Sequence, residues 1–334
     1  MIISRTPYRI SFLGGGTDYP EWFRQHGGGV LATAINRYCY LTCRYLPPFF
    51  EHKFRVVYSR TEDVREIAEI QHPVVRTALE AFQFRNGLEI HHDGDLPAYS
   101  GMGSSSAFTV GILHALHALR GEMVSKRELA TSAIEVEREK LRETVGCQDQ
   151  ITAAFGGFNH IEFPTSGDFR IEPIILTSGR LEEMEDHLML FFTGVSRISS
   201  EIAGSYVKNL KANEAHLMQL QEKARLGKEL LVSSGRLEEF GRLLHESWLG
   251  KKLLSEKVSS AGIDEIYEQA RAAGAWGGKL LGAGGGGFLL LFVPPNHQKA
   301  VRQRLHKLIH VPIKFEANGS QIIYYEPEKI EEPV

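Results

Sequence analysis

The sequence has few cysteines and no long apolar run. Its 334 residues include three cysteines, Cys39, Cys43 and Cys147, which form neither a disulfide framework nor a Cys-x-x-Cys metal pair. The longest apolar run, Phe288 to Val293, is far too short to cross a bilayer and suits a buried strand. The segment MIISRTPYRISF lacks the pattern of a secretory signal. We therefore expect a cytoplasmic protein with reduced thiols and no membrane contact.

Neither sign of charge dominates, because 38 basic residues stand against 41 acidic ones, a net charge of −3. This balance argues against broad nucleic-acid binding but leaves room for a local phosphate site. The composition, 43% hydrophobic and 24% charged, is ordinary for a globular protein. Glycine is abundant, with 33 residues, and much of it lies in clusters. No Gly-x4-Gly-Lys-[Ser/Thr] run occurs, which excludes a Walker-type nucleotide triphosphatase.

The pattern of elements predicts an α+β layered fold, because strands and helices alternate without a regular βαβ repeat. The length allows two domains, and a shift toward helical patterns places the boundary near residue 180, giving 1–180 and 181–334. Apolar periodicity and turn residues predict strands at 2–13, 30–45, 55–58, 88–92, 157–163, 187–192, 288–293, 311–314 and 321–325. They predict helices at 104–119, 126–142, 201–257 (broken near 233–235), 262–273 and 297–308.

The central glycine cluster, LPAYSGMGSSSA from Leu96 to Ala107, lies between a predicted strand and a helix. Glycines let backbone N–H groups turn toward an anion, and the helix adds its positive N-terminal end. The hydroxyls of Ser104, Ser105 and Ser106 suit phosphate oxygens or a hydrated Mg²⁺. A glycine-rich helix start, with the serine run as its cap, explains the cluster equally well on local grounds.

A second cluster, GGKLLGAGGGGF from Gly277 to Phe288, contains a formal G-x-G-x-x-G. The dinucleotide-binding fingerprint must follow a strand and open a helix. Here the order is helix, glycine loop and strand, so a Rossmann dehydrogenase is disfavoured. Close approach of the backbone to a nucleotide, or to the other glycine loop, explains four consecutive glycines better than a simple turn.

Two aspartates lie in polar, glycine-rich surroundings. Asp18 follows a strand that ends in three glycines, and a rigidly held carboxylate suits sugar hydroxyls. Asp149, in the loop VGCQDQ, is a candidate base. Each aspartate alone is explained more simply as a local helix or turn cap.

In order and type, these elements resemble the GHMP kinases, named for galactokinase and homoserine, mevalonate and phosphomevalonate kinases. Pro7, Arg9 and the run Gly14 to Tyr19 match the motifs P-x-[RK] and G-E-H-T-D-Y. Pro97 to Ala107 match P-x-x-x-G-L-[GS]-S-S-A, and Lys279 to Gly287 match G-x-G-x-G-G. The resemblance spans nearly the whole chain. It implies a ribosomal-S5-like N-terminal lobe and a ferredoxin-like C-terminal lobe, with ATP between them.

The resemblance also implies roles for individual residues. Asp149 would be the base and Arg9 the basic residue that faces it, so that a nearby cation favours the charged carboxylate. Ser105 and Glu137 would bind Mg²⁺. Glu137 stands twelve residues before Asp149, as the matching glutamate does in galactokinases, and Glu135 is the fallback if the helix register is off by two. ATP-binding residues would be Pro97, Ser100, Gly101, Met102, Gly103, Ser104, Ser105, Ser106, Gly284 and Gly285, and substrate-binding residues Gly15, Gly16, Thr17, Asp18 and Tyr19.

The substrate is expected to differ from galactose, because Gly15 and Gly16 replace the Glu-His of galactokinases. The segments FFTGVSRISSEI, VGCQDQ and GAWGGKLLGAGGGGF resemble the branch that contains D-glycero-D-manno-heptose 7-phosphate kinases. Bacterial fucokinases are near relatives, and both act on an anomeric C1 hydroxyl. Arg197 is the candidate cation for a sugar 7-phosphate, with Lys251 and Lys252 as weaker ones.

On this basis the predicted binding partner is a small sugar phosphate, the substrate. A homodimer is a possible assembly of the chain. The alternatives are an L-fucose-like sugar 1-kinase, a phosphomevalonate-type enzyme or decarboxylase of the same fold, and an inactive sugar sensor.

Overall fold

The computed structural model describes residues 1–194, 199–207, 209–233 and 235–326. The strands are β1 Ile2–Leu13, β2 Gly28–Tyr45, β3 Phe54–Val57, β4 Thr61–Val64, β5 Leu88–Gly94, β6 Phe158–Phe163, β7 Arg170–Pro173, β8 Leu188–Phe192, β9 Gly277–Leu280, β10 Phe288–Phe292, β11 Ile309–Val311 and β12 Gln321–Tyr325. The helices are α1 Pro20–His26, α2 Pro73–Phe82, α3 Ser104–Leu119, α4 Lys126–Glu135, α5 Gln148–Phe155, α6 Ser178–Asp186, α7 Ser199–Val207, α8 Glu214–Val232, α9 Leu237–Lys252, α10 Ala261–Ala272 and α11 Gln298–Arg304.

A large sheet of eight strands forms the first layer, in the order β12-β1-β2-β5-β3-β4, with β6 and β7 extending from β2. Strand β2 is 18 residues long, so residues 28–33 pair with β6 and residues 39–45 pair with β5. Helices α3, α5 and α8 all contact β1 and β2. Because it is covered in this way, β1 is continuously buried over its last eight residues instead of alternating.

A second sheet has four antiparallel strands in the order β11-β8-β10-β9. Its central strands are wholly apolar because each face meets a different core. Phe288, Leu290 and Phe292 face the core shared with the large sheet, whereas Leu289 and Leu291 face a second core. Phe240 of α9 joins the layers, with ring centroids 5.8 Å from Phe12 and 5.5 Å from Phe292. All four strands of this sheet come after residue 187 in the sequence, but the last strand, β12, pairs with β1 of the large sheet. The predicted domain boundary at residue 180 therefore stays a prediction.

The structure confirms the α+β class, but helices α1, α2 and α6 and strands β4 and β7 are not among the predicted elements. Other segments also differ from expectation. Residues 277–280, expected in a glycine loop, form β9 and pair with β10. The helix expected over 126–142 is regular only to Glu135 and continues as a π-turn, Val136–Lys140. The strand expected at 311–314 lies instead at Ile309–Val311. Within the described ranges, none of the helices combines the length and apolarity needed to cross a membrane.

Candidate active site

A cavity of about 680 Å³ lies where the large sheet meets the second one. The end of β1, the loop before α3 and the loop before α5 form one side. Lys251 of α9, Lys279 of β9 and the loop at Gly282 form the other. The cavity therefore collects residues far apart in sequence, including most of the predicted site residues.

The two glycine clusters touch each other beside this cavity. Gly101 and Gly282 have φ of +79° and +70°, and a Cβ on Gly282 would lie 2.5 Å from Gly101 Cα. A Cβ on Gly287 would lie 2.1 Å from the Ser100 carbonyl oxygen, which accepts a hydrogen bond from Phe288 N at 3.2 Å. Only glycine permits this approach. Of the two explanations for the four-glycine run, contact with the other glycine loop is confirmed.

Helix α3 points its N-terminus into the cavity. It begins directly after Gly103, whose φ is +72°, and no side chain caps it. The first serines are therefore part of the helix rather than its cap, which corrects the sequence-based expectation. Gly101, Gly103, Ser104, Ser105 and Ser106 line the cavity. Free N–H groups and the helix dipole make this end suited to phosphate.

Other predicted ATP-binding residues hold the loops rather than face the cavity. Met102 is fully buried and its carbonyl oxygen accepts a hydrogen bond from Arg9 N at 3.1 Å. Gly285 N donates to the Val258 carbonyl oxygen at 2.9 Å. In the described part of the chain, five of the predicted residues lie outside the cavity lining, namely Pro97, Ser100, Met102, Gly284 and Gly285.

Arg9 and Asp149 form a two-pronged ion pair inside the cavity. Arg9 Nε and Nη2 donate to the two Asp149 carboxylate oxygens at 2.6 and 2.7 Å. Arg9 Nη1 donates to the Gly101 carbonyl oxygen at 2.6 Å, which fixes the fork against the glycine loop. Asp149 lies in the first turn of α5 and not in a loop, and no side chain caps this helix. The capping alternative for Asp149 is therefore wrong.

Asp18 is buried beside this pair. Its carboxylate accepts hydrogen bonds from Gly16 N at 3.0 Å and Gln148 N at 3.3 Å. Burial raises the pKa of Asp18, and the nearby Asp149 charge raises it further, while the two backbone N–H groups oppose the shift. Gly15, Gly16 and Tyr19 line the cavity with it.

The cavity wall beside Asp18 carries two polar atoms without partners. Among the described residues, neither Ser11 Oγ nor Gln148 Oε1 has a hydrogen-bond partner, although both are buried. An ideal Cβ on Gly15 would lie 3.3 Å from Ser11 Oγ, so the glycine leaves this wall open. Unpaired buried polar atoms are costly unless a ligand or water satisfies them.

Thr17 and Gly16 have structural tasks. Thr17 is buried; its hydroxyl donates to the Gly14 carbonyl oxygen at 2.8 Å and accepts from Gly29 N at 3.1 Å. Gly16 has a φ of +107°, and a Cβ there would lie 3.3 Å from Leu217. A Cβ on Gly15 would lie equally close to Ser11 Oγ, at 3.3 Å, so both glycines sit against a neighbour and the extra room expected at this pair stays a prediction.

Gly146→Ala tests the position of Asp18. A Cβ on Gly146 would lie 1.9 Å from Asp18 Oδ2, so the carboxylate must move. If Asp18 binds sugar hydroxyls, as the sequence analysis predicts, losing a charge-assisted contact of roughly 1.5–3 kcal/mol should raise the KM for the sugar about tenfold to a hundredfold. Gly262→Ala, where nothing lies within 4 Å of the new Cβ, is the matched control. Steady-state kinetics with an unchanged sugar KM in Gly146→Ala would rule out Asp18 as a sugar contact.

Glu137 is buried behind the serines, and the π-turn turns it inward. One carboxylate oxygen accepts from Ser106 Oγ at 3.0 Å and from Gln150 Nε2 at 2.5 Å. The other, Oε1, has no hydrogen-bond partner among the described residues. Burial raises the pKa of Glu137 to about 7. Glu135 faces solvent and lies 3.5 Å from Lys140, so the geometry favours Glu137 over the fallback.

Two buried lysines complete the polar end of the cavity, and the sequence analysis assigned neither to catalysis. Lys251 Nζ donates to the Gly282 carbonyl oxygen, and Lys279 Nζ to the Phe12 carbonyl oxygen at 3.0 Å. Burial lowers the pKa of Lys251 to about 8, with Arg9 adding to the shift and Asp18 and Asp149 opposing it. The pKa of Lys279 is lowered well below its ordinary value. Burial is the largest cause, and the positive charges of Lys251 and Arg9 lower the pKa further.

A sequence signal for Lys251 was available. Leu244, Trp248 and Lys251 follow one helical face, and the first two are fully buried. A lysine that continues an apolar stripe is expected to be buried and to need a partner. Lys252, considered with it, instead pairs with Asp264 at 3.0 Å on a more exposed face.

The opposite end of the cavity is lined by flat rings. His72 stacks on Phe108 with ring centroids 4.6 Å apart, and His92 meets Phe108 edge-on at 5.1 Å. Tyr58 also lines this end. Burial lowers the pKa of His72 to about 4, so its ring is neutral at physiological pH. Arg197, the predicted phosphate contact, lies outside the described residues.

Comparison with known proteins identifies the family of this chain. The models for the GHMP kinases N terminal domain and the GHMP kinases C terminal match residues 70–157 and 228–310. The chain is 30% identical to a D-glycero-alpha-D-manno-heptose 7-phosphate kinase of Campylobacter jejuni, covering 92% of this chain and 93% of that protein. It is 26% identical to a bifunctional fucokinase/GDP-fucose pyrophosphorylase of Arabidopsis thaliana, over 92% of this chain and 31% of that protein.

A solved structure, a D-glycero-D-manno-heptose 1-phosphate kinase from Bacteroides thetaiotaomicron, superimposes with a TM-score of 0.79 at 24% identity, covering 99% of this chain and 100% of that one. This likeness shows the shared fold. Sugar kinases of this family use ATP as the phosphate donor. The chain belongs to the GHMP kinase family and is a phosphotransferase that acts on a sugar hydroxyl.

Proposed function

We propose that this kinase transfers the γ-phosphoryl group of ATP to the C1 hydroxyl of D-glycero-D-manno-heptose 7-phosphate. The product, the 1,7-bisphosphate, would feed synthesis of nucleotide-activated heptose for surface glycans. The observation that carries the proposal is the polar wall formed by Asp18, Ser11 Oγ and Gln148 Oε1, next to the Arg9–Asp149 pair. A ligand with several hydroxyl groups satisfies these unpaired atoms. The name of the Campylobacter jejuni relative supports the choice of sugar.

In this proposal Asp149 orients the sugar hydroxyl and accepts its proton as the oxygen attacks the γ-phosphorus. The bond between that phosphorus and the bridging oxygen of ADP breaks, and ADP leaves. Arg9 holds Asp149 by two contacts and, with Lys251, supplies positive charge where the transferring group becomes more negative. The N-terminus of α3 holds the remaining phosphates.

The chemistry of the buried Glu137 carboxylate suits Mg²⁺, because its Oε1 has no hydrogen-bond partner among the described residues. Glu137 and Ser105 would hold the ion, and Ser106, which donates to Glu137, would orient the carboxylate. When bound, the ion neutralises phosphate charge. Oxygen ligands of this kind are those that Mg²⁺ prefers.

The adenine ring would occupy the cavity end formed by Tyr58, His72 and Phe108. Neutral stacked rings suit a flat heterocycle, because offset stacking adds to the burial of apolar surface. Phosphates would then run from this end toward Arg9 and the N-terminus of α3. We also propose that the kinase is cytoplasmic and forms a homodimer.

The affinity for Mg²⁺ should depend on pH through Glu137. Its pKa is raised to about 7, so it is largely neutral at pH 6 and charged at pH 8. A neutral carboxyl binds the ion poorly. We expect the apparent affinity for the divalent ion to be about tenfold weaker at pH 6 than at pH 8. The affinity is measured by titration with Mn²⁺, as the probe for Mg²⁺, in the presence of an ATP analogue. Glu137→Gln should lose this pH dependence; the same dependence in that variant would assign it to another group.

A substrate panel tests the choice of sugar, with L-fucose as the main alternative. We expect kcat/KM to favour heptose 7-phosphate, and Arg197→Ala to raise the KM for that sugar about tenfold to a hundredfold, as for one lost charge-assisted contact. L-fucose carries no phosphate, so its kinetics should change little. A wild-type preference for fucose would refute the heptose assignment, and ATP binding without turnover of any sugar would favour the sensor alternative.

A further inference from the structure

A second cavity, of about 440 Å³, shares no lining residue with the first. It is bordered by the start of β2, by His160 and Glu162 of β6, and by the face of α8 that carries Gln221 and Arg225. None of the groups assigned above to phosphoryl transfer lies here. The cavity is therefore a separate place at which to look for a ligand.

Three ligating side chains meet at one edge of this cavity. His160 and Glu162 stand two residues apart on β6, so their side chains project from the same face. Glu172 of β7 is the register partner of His160 across the antiparallel ladder. One ligand atom from each of the three residues lies within 4.8 Å of the others.

His160 is the unusual member, since it is 5% exposed and its Nδ1 is buried with no hydrogen-bond partner among the described residues. Nδ1 lies 3.8 Å from Glu162 Oε1 and 3.8 Å from Glu172 Oε2. These distances are too long for hydrogen bonds. In a tetrahedral site with bonds of about 2.05 Å, neighbouring ligand atoms are about 3.4 Å apart, so modest movements bring all three into coordination.

A cation already occupies part of this space. Lys228 of α8 places its Nζ 2.5 Å from Glu172 Oε2. The ammonium group shows that the Glu172 carboxylate attracts positive charge here. A divalent ion would compete with Lys228, whose side chain is flexible and 22% exposed and can turn into solvent.

We propose that His160, Glu162 and Glu172 form a binding site for a divalent transition-metal ion such as Zn²⁺, with water completing the coordination. One imidazole and two carboxylates are a donor set that suits Zn²⁺. Mg²⁺ prefers oxygen ligands alone, which separates this site from the catalytic one. The bound ion would join β6 and β7 beside α8, next to Glu172, with which Lys228 now pairs.

Co²⁺ is the first probe, because its visible absorption reports nitrogen and oxygen ligands directly. Untagged protein, stripped with a chelator, is titrated with Co²⁺ and then Zn²⁺ in the presence of excess Mg²⁺. We expect one site in the wild type and at least tenfold weaker binding in His160→Gln and Glu162→Gln. Lys228→Met should bind several-fold tighter because it removes the competing cation. Glu222→Gln, which changes another glutamate of the same cavity, should bind as the wild type does.

The absence of Co²⁺ and Zn²⁺ binding in the wild type would refute the site. Wild-type affinity in both His160→Gln and Glu162→Gln would place the ion elsewhere, and so refute it too. If His160→Gln fails to fold, Glu162→Gln decides alone, since the Glu162 side chain is 45% exposed and its loss is tolerable.

Discussion

Asp149→Asn is expected to lower kcat about a hundredfold or more while leaving the affinity for ATP little changed. A positioned general base contributes on the order of a hundredfold to ten-thousandfold, and the amide cannot accept the proton. The introduced amide would still offer one oxygen to Arg9, which in the wild type holds both carboxylate oxygens at 2.6 and 2.7 Å. The fold should therefore survive. ADP release measures kcat, and calorimetry measures ATP binding.

The matched control is Asp168→Asn, another aspartate that pairs with an arginine. Arg127 Nη1 lies 2.9 Å from Asp168, but both side chains are more than half exposed, and such surface pairs contribute little. We expect that variant to turn over normally. Near-normal kcat in Asp149→Asn would reduce Asp149 to a structural partner of Arg9, and weakened ATP binding would show that the change disturbs the glycine loop as well.

The sequence predicted much of the fold because its signals are local. The apolar runs of β8 and β10, the helical spacing of α3 and the glycines before β10 each specify an element without reference to the rest of the chain. The π-turn at Val136–Lys140, in which Glu137 is fully buried, could not be predicted in this way, since no local pattern separates it from the α-helix before it. Element ends are generally the part of a prediction that tertiary contacts decide.

The site was predictable where backbone geometry demands a particular residue. Gly101 and Gly282 must be glycines because their backbones touch. The glycine clusters in the sequence indicate such close backbone contact. Contacts between residues that are far apart in the sequence could not be predicted in this way. The bond from Lys279 to the Phe12 carbonyl oxygen joins residues 267 positions apart, and the unpaired state of Ser11 Oγ and Gln148 Oε1 among the described residues exists only in three dimensions.

Lys251→Met is expected to lower kcat/KM about tenfold to a hundredfold. Lys251 is 5% exposed in the cavity and close enough to Arg9, Asp18 and Asp149 for their charges to alter its pKa. A phosphate that enters this space gains a charge-assisted contact of roughly 1.5–3 kcal/mol, which methionine cannot make. Stability should not fall in parallel, because the change also removes a buried cation. Lys252→Met is the matched control, since Lys252 pairs with Asp264 outside the cavity.

The pH profile separates a charge effect from a packing effect. The pKa of Lys251 is lowered to about 8, so in the free enzyme it is charged below pH 8 and neutral above. Wild-type kcat/KM should therefore fall as pH rises through about 8, whereas kcat should fall at a higher pH because bound phosphates favour the charged form. Lys251→Arg stays charged, so its kcat/KM should not fall there. Two results together would exclude Lys251 from phosphate binding: a wild-type kcat/KM that does not change from pH 7 to 9, and normal turnover in Lys251→Met. Lys251 would then only support the Gly282 loop.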